Sequence, residues 1–97
     1  DGEARILIME AASKRVLLRI RYQGSERLVE PYSLTYKTRR DGVSHEYFYC
    51  YNTTGGQTRT PGIRSLLSRD LAEIELTTEP FEPRYSYMHW IGWQITN

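Results

Sequence analysis

The sequence predicts a mainly β domain, in which one short N-terminal helix leads into about five strands of a partly open small barrel. Three observations predict it. Runs that alternate apolar with polar residues fill most of the chain between Arg15 and Thr78, the period of a half-buried strand. Turn residues separate these runs at roughly 8–12-residue spacing, as in all-β folds. Helical periodicity is confined to the N-terminal end. Five strands suit a small barrel better than an immunoglobulin-type sandwich, which needs about seven.

The elements follow in order. "EARILIMEAASKR" holds strong helix formers and no Gly or Pro. Ala4, Leu7, Ile8, Ala11 and Ala12 fall at i, i+3, i+4, i+7 and i+8, so the spacing predicts an amphipathic helix over 2–13. The barrel strands occupy 14–78. In the first, Val16, Leu18, Ile20 and Tyr22 share one face, and Arg15, Leu17, Arg19 and Arg21 the other. Gly24-Ser25 supplies a turn, and the second strand runs from Glu26 to about Thr38. Pro31 has no N–H for a ladder, so it marks an edge, a bulge or a bend. "RRDGVS" turns into a third strand, His45 to Tyr51. There Phe48 and Cys50 face the core, which leaves Tyr47, Tyr49 and Tyr51 on the opposite side. After the "NTTGGQ" turn, "TRTPGIRSLLS" resumes a strand, interrupted near Pro61-Gly62. "SRDLAEIELT" puts Leu71 or Ala72 inside with Ile74 and Leu76, and Glu73 and Glu75 outside. Residues 79–97 form a Pro-punctuated tail that ends in "SYMHWIGWQITN", with material for an extra strand.

The chain has 97 residues, so 1–97 is read as a single domain with a modest core. Hydrophobic content of 39% and charged content of 26% are ordinary for a globular fold. No apolar run is long enough to cross a bilayer, and no membrane partner is expected. No signal-peptide pattern appears, and the start at Asp1 suggests a processed protein or an excerpt of a larger one. A single Cys50 excludes an internal disulfide and a Cys-based zinc site within one chain, and fits a reducing, cytoplasmic setting. The net charge of +1 hides an asymmetry: residues 1–69 hold 12 of the 13 basic side chains against 7 acids. Residues 70–97 hold Arg84 against Asp70, Glu73, Glu75, Glu79 and Glu82. Only Lys14 and Lys37 are lysines, and the planar Arg fork suits phosphate or carboxylate. This bias points to an anionic partner.

The order of motifs resembles a WYL domain. It comprises a short helix ending in a small residue, "RVLLRIRY", "ERLVEPYSL", the aromatic "EYFYCYN", a Gly-Gly pair, "RTPGIRSLLSRDLAEIEL" and a closing "F.PRY". The resemblance covers about Ile6 to Tyr85. Of the family's Trp-Tyr-Leu triplet, which falls on Glu46, Tyr47 and Phe48, only the tyrosine is retained. The familiar ending stops near Tyr85. The resemblance implies an Sm-like or SH3-like small β-barrel of the kind found in bacterial transcription regulators, in CRISPR and phage-defence proteins and as an appendage of some helicases. It implies a non-catalytic accessory or regulatory role, in which a positively charged groove binds an anionic ligand, in several cases single-stranded nucleic acid. Arg27, Arg59, Arg64 and Arg69 sit at or near the family's groove-lining basic positions.

The residues themselves suggest how such a groove would work. Bases stack on aromatic faces for roughly 1–3 kcal/mol each. Tyr47, Tyr49 and Tyr51 offer such faces, with Arg19, Arg21 and Arg27 on neighbouring strands, and Arg39 and Arg40 in a loop that could clamp a backbone. Single-stranded DNA is the expected partner. A pocket for a small anion such as a nucleotide would use the same arginines. Tyr87, Met88, Trp90 and Trp93 suggest a third possibility, a homodimer or partner-docking contact. No cofactor, metal or catalytic residue is expected. His45 and His89 have no carboxylate at ligand spacing, and His45 and Cys50 point to opposite faces of one strand. "TTGGQT" lacks the Lys and helix of a phosphate loop. "NTT" matches a glycosylation acceptor, which the Cys usage argues against.

Overall fold

The computed structural model describes residues 2–54 and 60–85. Helix α1 (Gly2–Lys14) buries Ile8 and Ala11 of the predicted stripe, and Arg15 ends it at φ 57°. The left-handed residue stops the helix and turns the chain into β1 (Val16–Tyr22). Leu18, Ile20 and Tyr22 of β1 are buried on the face that α1 covers, as their alternation requires.

A two-residue loop joins β1 to β2 (Ser25–Thr38), with Tyr22 paired to Ser25. Its residues are Gln23 and Gly24, both at positive φ, one residue earlier than the Gly24-Ser25 turn expected from the sequence. Consecutive positive φ values mark a type I′ turn, whose twist matches that of the flanking strands. Pro31 does what a residue without an N–H must do. The β2–β3 register slips between Pro31 and Ser33, so Tyr32 is the extra residue of a bulge. Glu30 and Ser33 consequently lie on the same face.

β3 (Ser44–Asn52), β4 (Gly62–Leu67) and β5 (Leu71–Pro80) complete an antiparallel sheet of order β4-β3-β2-β1-β5. The sheet is open: β4 and β5 are its edges, joined by a single 3₁₀ turn over Ser68–Asp70. The Tyr22 hydroxyl accepts a hydrogen bond from the Leu67 N–H at 3.1 Å, which ties β1 to the end of β4 beside that corner. The architecture is the mainly β, helix-then-five-strands arrangement that the alternation predicts. β5 also settles the choice between Leu71 and Ala72. Its register to β1 slips between Arg19 and Arg21, and Glu73 takes φ 49°. That bulge brings Leu71 into phase with Ile74 and Leu76 against the core.

The sheet therefore has two faces. The inner face carries Leu18, Ile20, Tyr22, Val29, Phe48, Cys50 and Leu66 against α1. The outer face carries Arg19, Arg21, Tyr47, Tyr49 and Tyr51. No helix among the described residues is long and apolar enough to cross a membrane.

Candidate anion-binding site

The predicted site residues separate into four groups. The first is cancelled. Arg19 Nη1 lies 2.7 Å from Glu75 and its Nε 3.5 Å from Glu26. Arg21 Nε lies 2.6 Å from Glu73 and its Nη2 3.7 Å from Glu26. Two guanidinium groups face three carboxylates around one shallow outer cleft. These two arginines do not join a basic groove, because β5 returns beside β1 and brings its acids with it.

The second group is the hairpin loop between β2 and β3. Arg39 Nη2 bonds Asp41 at 2.6 Å, which holds the Asp41 carboxyl below its usual range, helped by the Val43 N–H. Arg40 is exposed. The Asp41 partner takes the Arg39 charge out of a backbone clamp.

The third group is the tyrosine face, which corrects the expectation of open rings. Tyr49 is only 4% exposed, and Tyr47 and Tyr51 are half-buried. Cations already sit over two of them. Lys37 Nζ is 5.3 Å from the Tyr49 ring centre, and the Arg84 guanidinium 3.9 Å from that of Tyr51. Arg69 lies at the far end of this face, 3.3 Å from His45 Nδ1 and 4.0 Å from Asp70. Lys37 and Arg84 were not singled out by sequence. The signal for Lys37 was its place on the strand beside Tyr49; Arg84 arrives from a remote segment, and no local pattern announces it.

The fourth group lies on the inner face, and it is the candidate site. Arg27 pairs in register with Ile20 and Arg64 with Cys50, so both project to the core side, away from the tyrosines. This is the second correction, since Arg27 was expected beside the rings. Arg27 is 6% exposed and lies 5.1 Å over the Tyr22 ring. Its Nε is buried without a hydrogen-bond partner, and no carboxylate pairs with it among the described residues. Asn52, fully buried between Val29 and Gly62, leaves its Nδ2 without a partner at the same end. Arg64 donates to the carbonyls of Ile63 and Thr60. Both guanidinium charges act on the Cys50 thiol, although burial outweighs them and pushes it up to about 12. A buried cation without a counter-charge is costly, and cation–π contact offsets about 0.5–2 kcal/mol of that. An anion bound here would supply the missing acceptors.

Three further expectations have a place in the structure. Cys50 is buried against the core, on the side of β3 away from His45, so the two are not a nucleophile pair. The "NTT" run caps the sheet: Thr53 donates to the Leu28 carbonyl and Thr54 accepts from the Leu28 N–H. Its asparagine is fully buried, out of reach of glycosylation. Among the described residues no group of three or more His, Cys, Asp or Glu side chains is placed to hold a metal ion. Arg59, His89 and the C-terminal Tyr87, Met88, Trp90 and Trp93 lie outside the described residues. Compared with family models, curated proteins and solved structures, the chain has no match.

Proposed function

We propose that this chain is a non-catalytic, WYL-like accessory or regulatory domain that binds an anionic ligand, with a phosphate of single-stranded DNA between Arg27 and Arg64. The observation that carries the reading is the buried Arg27 guanidinium, one donor unsatisfied, with Arg64 on the same face two strands away and the charges of both reaching the Cys50 thiol. Phosphate offers several acceptors to an Arg fork and balances its charge. The domain works in the reducing cytoplasm, where its one thiol stays free.

The test is fluorescence polarisation with a labelled oligothymidylate across a salt series. Arg64→Gln, at a partly exposed position, weakens binding about tenfold and lowers the salt slope by about 0.7, the share of one phosphate on a single strand. Arg27→Met adds to the loss. Oligonucleotide binding that ignores both substitutions rules the site out. The depth of Arg27 also favours a second reading, a compact anion such as a mononucleotide. Thermal stabilisation by mononucleotides and not by oligonucleotides selects that one.

A further inference from the structure

Two sequence pieces far apart in the chain, "VEPY" and "F.PRY", meet on the outer face. Glu30 is buried there, and both its oxygens are engaged. The Tyr32 hydroxyl donates to Oε1 at 2.6 Å, and Arg84 Nε donates to Oε2 at 3.1 Å. The Arg84 N–H donates to the Tyr32 hydroxyl at 2.9 Å. Phe81 and Tyr85 pack edge-on against the Tyr32 ring. The Arg84 guanidinium lies on the Tyr51 ring, 3.9 Å from its centre. One side chain is thus fixed by its Nε, by its planar face and by its backbone.

A guanidinium has five N–H donors, and Glu30 takes one. The four on Nη1 and Nη2 have no acceptor among the described residues. The exposure is unequal: the Glu30 side chain is 5% exposed and that of Arg84 48%. A ligand arriving from solvent meets the Arg84 side chain and not the carboxylate. A fork held in place loses less entropy on binding than a free one.

We infer that Arg84 is a preformed phosphate contact on the outer face, separate from the Arg27–Arg64 pair and positioned by Glu30, Tyr32 and Tyr51. The ligand class is a phosphate group, either of a nucleic-acid backbone or free. The inference rests on the functional reading above only for which of these owns the phosphate.

Side-chain ¹⁵N spectra give the test, since the Nε–H held by Glu30 provides a resolved probe. The intact chain is titrated with inorganic pyrophosphate and, separately, with a twelve-nucleotide oligothymidylate. The expected result is a saturable shift of the Arg84 signal with both. Arg84→Gln then weakens oligonucleotide binding about five- to tenfold, and Arg84→Lys does not rescue it, because an ammonium has no fork. Arg84→Gln strands a buried carboxylate, so the pair Glu30→Gln/Arg84→Gln is measured beside it to separate folding from binding; it too binds weakly. If the oligonucleotide binds while the Arg84 signal stays put and Arg84→Gln binds normally, the Arg84 inference is overturned and the Arg27–Arg64 reading stands. If pyrophosphate shifts Arg84 and the oligonucleotide binds nowhere, the contact stands and the nucleic-acid reading falls. If neither probe binds, both are overturned.

Discussion

Cys50 shows how one residue records the quality of the core. The residue is fully buried and pairs in register with Pro31 on one side and Arg64 on the other. Burial raises its pKa from 9.0 to about 12, and the Arg27 and Arg64 charges recover only part of that. The folded state therefore holds the thiol proton more tightly than the unfolded chain does. Cys50 contributes its full stability below about pH 9, and that contribution is lost as pH rises toward 12. Tyr32 acts with the same sign at higher pH, because burial and its bond to Glu30 raise its phenol. The expected outcome is a urea midpoint that falls steadily above pH 9, with a shallower fall in Cys50→Ala. That variant also loses about 1–2 kcal/mol at neutral pH for the packing it removes. A disulfide-exchange reagent should leave native Cys50 unmodified and react on unfolding. Rapid modification of the native protein would show that the thiol is not buried.

At the level of elements, the turns and bulges place the faces. Gln23 and Gly24 both take positive φ between Tyr22 and Ser25. Asn enters the left-handed region more readily than Gln, and Asn-Gly is the preferred pair for a type I′ turn. Gln23→Asn is expected to stabilise the domain by about 0.5 kcal/mol, or about 2–4 °C in Tm for a chain this short. A loss of stability in calorimetry would show that the turn is of another kind. Strand faces were legible wherever alternation ran unbroken: Val16, Leu18, Ile20 and Tyr22 did face inward. Pro31 announced an edge, a bulge or a bend, because a missing N–H is a local property, and the register makes it the bulge. The Glu73 bulge was not legible, since nothing in a glutamate foretells φ 49°; it left Leu71 and Ala72 undecided. Which strand lies beside which is a property of closure. Alternation therefore could not tell that Glu73 and Glu75 would meet Arg21 and Arg19, or that Arg84 would reach Tyr51. Arg27 was misplaced for a different reason. It sits in phase with Val29 on the inner face, and the assumption that arginine belongs outside overrode the period.

The whole molecule redistributes its charge by folding. Along the chain the basic excess and the acidic excess are separated, which reads as one cationic surface. The strand order brings β5 next to β1, and the acidic strand is laid along Arg19 and Arg21. What is left to meet an anion is local: Arg27 and Arg64 on the inner face, and at the end of the tyrosine face the exposed part of Arg84, whose charge Glu30 already balances. Such a molecule has little long-range attraction for a polyanion and depends on a few placed contacts. If these carboxylates are what withhold Arg19 and Arg21, then Glu73→Gln with Glu75→Gln, combined with Glu26→Gln on β2, should release them. Oligothymidylate binding at low salt is expected to tighten several-fold, and the salt slope to steepen by about 1.4, as two added phosphate contacts on a single strand would give. Stability should change by no more than about 1 kcal/mol, because these are exposed ion pairs. An unchanged slope would mean that the two arginines are silent for a reason other than their carboxylate neighbours, and that the outer cleft plays no part in the electrostatics of binding.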